Sequence, residues 1–165
     1  MKVTFTVLFV CTGNTCRSPM AEALVRARLR SAGRATDAAE VRASSAGLSA
    51  VAGDPVSDGA RAALARLGVP VPRRAARQLT ERRLSSADLV LTMTELQKRA
   101  IWERWPEAGE KTFVISEISG SGGGDIPDPI GGSDATYDAC ARRLSTEMSK
   151  LVPRLRRLAE RRTTG

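Results

Sequence analysis

From Val3 to Val10 the chain is a continuous β-rich apolar run, the pattern of a strand buried on both faces. Gly13 and Asn14 break it. Ser18-Pro19 then opens a helix, serine being a favourable N-cap and proline suiting the first helical position. Met20, Leu24 and Ala27 follow at helical spacing, and Gly33 marks the end. Val41 to Ala46 reads as a second strand ending at Gly47. Ala60, Ala63, Leu64 and Leu67 form the apolar stripe of another helix, closed by Gly68. Val69 to Pro72 is an extended linker.

Leu84 to Met93 carries a third strand centred on Leu89-Val90-Leu91. Thr94 with Gln97 makes a capping-box pattern for the next helix, which Pro106 stops after Trp105. Thr112 to Ile115 is a fourth strand, followed by a glycine-rich loop from Ser119 to Ser133. The last helix starts near Asp134, with Tyr137, Cys140, Ala141, Leu144, Met148, Leu151, Leu155 and Leu158 on its apolar stripe. Pro153 should kink or restart it, and the tail at 163–165 should fray. Strands alternating with helices imply an α/β fold: a parallel sheet covered on both faces, joined by right-handed crossovers, in one domain over 1–162.

Composition narrows the chemistry. The 165 residues are 42% hydrophobic and 27% charged, as in a soluble globular protein, and no apolar run is long enough to span a bilayer. Met1 and Lys2 lead straight into the first strand with no cleavage-site pattern, so the expected compartment is the cytoplasm. Three cysteines do not make a disulfide framework. The net charge of +8 attracts anions, phosphorylated proteins among them. The arginines are dispersed and few aromatics lie among them, which disfavours nucleic acid as a partner. There is no histidine, so Ser-His-Asp triads, Cys-His dyads and the usual zinc sites are excluded; no metal or organic cofactor is implied, because the loop, Arg17 and Asp128 described below suffice for the chemistry.

The chemistry concentrates in Cys11-Thr12-Gly13-Asn14-Thr15-Cys16-Arg17-Ser18, between the first strand and the first helix. Ligands of α/β sheets bind outside the carboxyl ends of strands, and a helix start offers free N–H groups and partial positive charge. Gly13 and Asn14 tolerate left-handed backbone, so successive amides can curl around an anion. Cysteine followed after five residues by arginine places a thiol and a guanidinium at one phosphate, which Arg17 can hold bidentately. The positive surroundings favour the thiolate of Cys11, which attacks phosphorus to give a phosphocysteine intermediate.

With Ser45-Ala46-Gly47, the stretch Ala87 to Met93 and Asp128-Pro129, this loop makes the chain resemble the low-molecular-weight protein-tyrosine-phosphatase family over nearly its whole length. The resemblance implies a four-stranded parallel sheet flanked by helices and a cysteine-dependent phosphatase with Cys11 as nucleophile and Arg17 as phosphate clamp. Asn14 would hold the loop's shape, and Ser18 would hydrogen-bond the Cys11 thiolate, cap the helix, or both. Asp128 would protonate the leaving group and then activate water; Asp125 is its rival, disfavoured because it does not precede the proline. Cys16 is either a small loop residue or a redox partner that forms a reversible disulfide with Cys11. Cys140 belongs to the core, and Trp102 and Trp105 to packing.

Two positions bear on the substrate. Thr15 stands where tyrosine-directed members usually carry an apolar residue, and members resembling protein-arginine phosphatases have threonine there; its hydroxyl can accept a hydrogen bond from a guanidinium. Ile130 follows Asp128-Pro129 where tyrosine phosphatases often place a ring-walling aromatic and arginine-directed relatives often have phenylalanine. Protein phosphoarginine is therefore favoured over phosphotyrosine. An arsenate reductase would need two further cysteines in a mobile segment, and a non-catalytic phosphate-binding module would not need Cys11, Arg17 and Asp128 together.

Overall fold

The computed structural model describes residues 2–33 and 39–164. Four strands, β1 (Val3–Cys11), β2 (Ala39–Gly47), β3 (Leu89–Thr92) and β4 (Thr112–Val114), form one parallel sheet in the order β2-β1-β3-β4. Helices α1 (Arg17–Ser31), α2 (Asp58–Arg66), α3 (Glu81–Ser85), α4 (Glu95–Arg104), α5 (Ile115–Ser119) and α6 (Asp134–Arg161) cover it.

The two-residue period of β1 explains the layers. Phe5, Val7, Phe9 and Cys11 face one way, into a core shared with Met20, Leu24, Leu64, Leu144, Met148 and Leu151 from α1, α2 and α6. Leu8 and Val10 face the other way, against Leu84, Ile101, Trp105 and Ala108. β3 repeats the division, Leu89 and Leu91 on the first side and Val90 on the second. Sandwiched in this way, β1 reads as a near-continuous apolar run.

Several boundaries differ from the sequence reading. Helix α1 begins at Arg17 with Cys16 in the N-cap position, so Ser18 is not the cap; its side chain turns to the loop instead. Leu84 lies not in a strand but in the short helix α3, capped by Thr80, because Ala87 N and Ser86 N bond back to the preceding turn before β3 starts at Leu89. Ile115 starts α5 rather than ending β4, with Glu117 accepting from Val114 N at 2.7 Å. A 3₁₀ segment, Pro106–Lys111, follows α4. Helix α6 runs through Pro153 without restarting. At its end Thr163 N and Thr164 N bond to the Glu160 and Arg161 carbonyls, while Gly165 lies outside the described residues.

β2 is an edge strand, and the outward carbonyls of its carboxyl half are occupied. Arg26 reaches across from α1 to the Ala43 carbonyl, at 2.7 Å from Nη2 and 3.2 Å from Nε. Arg74 and Arg77 reach the Ser45 carbonyl at 3.4 and 3.3 Å, and Leu79 N bonds to the Gly47 carbonyl at 2.7 Å. No helix among the described residues is long and apolar enough to cross a membrane.

Candidate active site

Residues 11–18 wrap the start of α1 at the carboxyl end of β1. Leu48 N and Ser49 N, just beyond β2, bond to the Cys11 and Thr12 carbonyls at 3.0 and 2.9 Å. Ser57 N, just before α2, bonds to the Thr15 carbonyl at 2.9 Å. Gln97, besides closing the α4 capping box, donates from Nε2 to Thr12 Oγ1 at 3.1 Å. Gly47 lies against the loop's backbone: a β-carbon there would stand 2.6 Å from the Thr12 carbonyl oxygen and 2.9 Å from Asn14 N. Gly13, by contrast, has ordinary room, its nearest contact being Thr15 Oγ1 at 3.6 Å.

Asn14 has φ of 56°, the one positive φ outside glycine among the described residues. Its side chain holds it there. Nδ2 donates to Ser18 Oγ and Ser45 Oγ, both at 2.8 Å, and Oδ1 accepts from Arg77 N at 2.9 Å. Asn14 N and Ser18 Oγ lie 3.3 and 2.9 Å from Cys11 Sγ. Because Ser18 Oγ already accepts from Asn14, its own proton is free to point at the sulfur.

Beneath this lies a part of the site to which the sequence assigns no role. Glu22 is fully buried, accepts from Ser45 Oγ at 2.8 Å, and pairs with Arg26 at 2.9 Å and with Arg74. Arg74 Nη2 donates to Ser45 Oγ at 2.6 Å. Ser45 thus gives its proton to Glu22 and offers lone pairs to Asn14, whose amide orientation is fixed. Burial, with the Arg77 and Arg83 charges, lowers Arg74 to about 10, still a cation at neutral pH. The available sequence signal was spacing: Ser18 and Glu22 are four residues apart and share a face of α1.

Arg17 is buried on α1. Nη1 donates to the Ile126 carbonyl at 3.0 Å, Nη2 to Asp128 Oδ2 at 3.1 Å, and buried Nε has no hydrogen-bond partner among the described residues. The late loop is tied to β3 by Ile126 N bonding to the Met93 carbonyl at 2.8 Å, and Asp128 Oδ1 accepts from Ile130 N at 3.1 Å. Asp128 is therefore brought to Arg17. Asp125 is not: its Oδ1 accepts from Glu95 N at 2.9 Å, at the start of α4. Ile130 is exposed and Thr15 partly so.

The other cysteines have distinct surroundings. Cys16 Sγ lies 3.1 Å from Ser57 Oγ, 3.7 Å from Tyr137 Oη and 3.8 Å from Thr15 Oγ1. Burial raises the Tyr137 phenol; its hydrogen bond with Ser57 works against this, and Cys16 and Asp128 add to the rise. Cys140 lies under the late loop, 4.0 Å from the Pro127 carbonyl, and burial pushes its thiol up to about 12. Trp105 is buried, whereas Trp102 is 41% exposed beneath the Lys98 ammonium at 4.6 Å, so it packs less than the sequence implied. No group of three or more His, Cys, Asp or Glu side chains able to hold a metal occurs among the described residues.

A strand, a loop of inward-curling backbone with Cys11 at its start, and a helix whose Arg17 is paired with Asp128 form the arrangement of a phosphoryl-transfer site of the cysteine-dependent class. The chain belongs to the family described as low molecular weight phosphotyrosine protein phosphatase, which it matches over residues 6–162, and it is a protein phosphatase. It is 38% identical over 151 residues to a protein-arginine-phosphatase of Geobacillus stearothermophilus, covering 92% of this chain and 96% of that protein. It is 34% identical over 153 residues to a probable low molecular weight protein-tyrosine-phosphatase, EpsP, of Ralstonia nicotianae, covering 93% and 97%. Among solved structures it superposes on a YwlE arginine phosphatase mutant with a phosphorylated active site serine, at TM-score 0.87 and 33% identity, covering 96% of this chain and 99% of that one.

Proposed function

We propose that this protein removes phosphate from phosphoarginine in proteins, through a phosphocysteine at Cys11. The observation carrying the substrate assignment is Thr15: a partly exposed hydroxyl in the phosphate loop, at a mouth whose late-loop residue is Ile130 rather than an aromatic. A guanidinium bound there can donate to Thr15 Oγ1 and to Asp128, whereas a phenyl ring satisfies neither. The likeness to a protein-arginine-phosphatase supports the same reading.

In the first step the loop amides and the free Nε–H of Arg17 take the phosphate oxygens. Cys11 thiolate, hydrogen-bonded by Ser18, attacks phosphorus; the S–P bond forms and the P–N bond breaks, its electrons leaving with the guanidine nitrogen, which Asp128 protonates. In the second step Asp128 takes a proton from water, the water oxygen attacks phosphorus, and the S–P bond breaks to regenerate thiolate and release inorganic phosphate. Cys11, Arg17 and Asp128 supply nucleophile, anion clamp and proton, so turnover should persist in chelator. The reading treats residues 1–162 as one phosphatase unit working in the cytoplasm, where a protein-arginine kinase would supply its substrate.

Phosphotyrosine is the second reading. Exposed, apolar Ile130 could lie against a ring, and the Ralstonia relative is named for tyrosine. The deciding experiment is kcat/KM on matched phosphoarginine and phosphotyrosine peptides for the parent and Thr15→Ile. A phosphoarginine preference that Thr15→Ile abolishes is expected. A phosphotyrosine preference indifferent to the substitution would overturn the assignment.

A further inference from the structure

Beside the phosphate loop, the segments 53–56 and 71–75 enclose a groove of about 430 Å³. Its walls are Val56, Val71 and Pro72, and three arginines, Arg61, Arg73 and Arg74, converge on it with no carboxylate in the lining. Arg61 and Arg73 are exposed, and neither guanidinium has an ion pair or hydrogen bond among the described residues. Arg74 is committed below to Glu22 and Ser45. The nearest acids in sequence, Asp54 and Asp58, are exposed outside the lining.

Both walls run directly into the catalytic loop. Val56 precedes Ser57, whose N bonds to the Thr15 carbonyl at 2.9 Å and whose Oγ lies 3.1 Å from Cys16 Sγ. Ala75 is two residues before Arg77, whose N bonds to Asn14 Oδ1 at 2.9 Å. The groove's walls are thus continuous in chain with the segments that hold the phosphate loop.

We propose that the groove is a docking site for an acidic stretch of the phosphoprotein substrate itself, its carboxylates meeting Arg61 and Arg73 and its side-chain stems lying on Val56, Val71 and Pro72. The proposal rests on the protein-phosphatase reading. Two unpaired cations in a lining that holds no carboxylate favour negative charge, and the apolar walls suit an extended peptide more than a bare ion.

The test uses two phosphopeptides of equal length, one with four acidic residues flanking the phosphorylated position and one with neutral residues, and p-nitrophenyl phosphate as the substrate that reaches only the loop. At low ionic strength the parent should prefer the acidic peptide about tenfold in kcat/KM, the scale of two or three solvent-screened ion pairs, with the difference in KM. Arg61→Glu/Arg73→Glu should erase the preference and leave p-nitrophenyl phosphate turnover unchanged. Equal kcat/KM for both peptides in the parent, or a preference that survives the double substitution, overturns the proposal. So does a double variant that loses affinity for RNA while keeping the peptide preference. If the parent turns over neither p-nitrophenyl phosphate nor either phosphopeptide, the phosphatase reading falls instead. The groove is then judged by fluorescence anisotropy of a labelled acidic peptide: a loss of about tenfold in affinity in the double variant supports it, and unchanged affinity overturns it.

Discussion

Gly47→Ala tests whether the second strand holds the phosphate loop in its working shape. An alanine β-carbon would stand 2.6 Å from the Thr12 carbonyl oxygen, 2.9 Å from Asn14 N and 3.0 Å from Gly13 C, all backbone atoms. Reaching an ordinary contact of 3.4 Å from the Thr12 oxygen needs a displacement of about 0.8 Å. No flexible side chain can absorb it, so the loop or the strand must move. The strand is pinned by Gly47 N to the Arg77 carbonyl at 2.9 Å and by the Gly47 carbonyl to Leu79 N at 2.7 Å. The loop therefore takes most of the shift, at the residues between Cys11 and Asn14. Overpacking of this kind costs about 1–3 kcal/mol in stability. A misplacement near 1 Å at the reacting atoms costs about a hundredfold in rate. The assay is p-nitrophenyl phosphate kcat alongside urea denaturation, with Gly53→Ala as control, a position where φ is +97° and nothing lies within 4 Å. Gly53→Ala should lose some stability through backbone strain and keep kcat; Gly47→Ala should lose both. A Gly47→Ala enzyme with parental kcat would refute the claim that this glycine sets the loop.

Asp128→Asn should slow turnover of a phosphotyrosine peptide by about 10²–10⁴-fold, whereas Asp125→Asn should lower the Tm with kcat nearly kept, because Asp125 serves the start of α4; steady-state kinetics with thermal melts separates the two. Hydrogen peroxide should inactivate the enzyme reversibly by dithiothreitol if Cys11 pairs with Cys16, and Cys16→Ser should make the loss permanent. Cys140, held up to about 12, should be the slowest thiol to alkylate with iodoacetamide at pH 8, read by mass spectrometry. Burial works against ionisation of Glu147, but Ser119, Ser121 and Arg143 outweigh it and hold the carboxyl below its model-compound value. With the folded value depressed, its stabilisation is complete above the ordinary value of 4.5 and disappears as pH falls through the folded value. Urea midpoints between pH 6 and 3 should thus fall less steeply for Glu147→Gln than for the parent.

What could be read from the sequence follows from how local each signal is. The buried run of β1, the turn at Gly13-Asn14 and the cysteine-to-arginine spacing are contiguous, and the structure builds the loop from those residues. Short elements such as α3 and α5 carry no full period, so Leu84 and Ile115 read from sequence as parts of the neighbouring strands. Ser18 reads as a cap because Ser-Pro is a good helix opening, but the loop's curl places the helix start two residues earlier, with Cys16 in the cap position. The roles of Glu22 and Arg74 are not legible for a different reason. A glutamate on a helix and an arginine in a linker read as solvated charge until the fold buries one and lays the other across it.

The arginines along the outer side of β2 have a consequence unconnected with turnover. An edge strand with free carbonyls is a template on which a second chain can extend the sheet. Here the outward carbonyls of Ala43, Ser45 and Gly47 are already occupied by Arg26, by Arg74 and Arg77, and by Leu79 N. The guanidinium groups also place positive charge where an incoming copy would bring its own. An incoming strand would have to displace these partners at the carboxyl half of β2, so the same arginines that brace the catalytic loop from below disfavour sheet growth there.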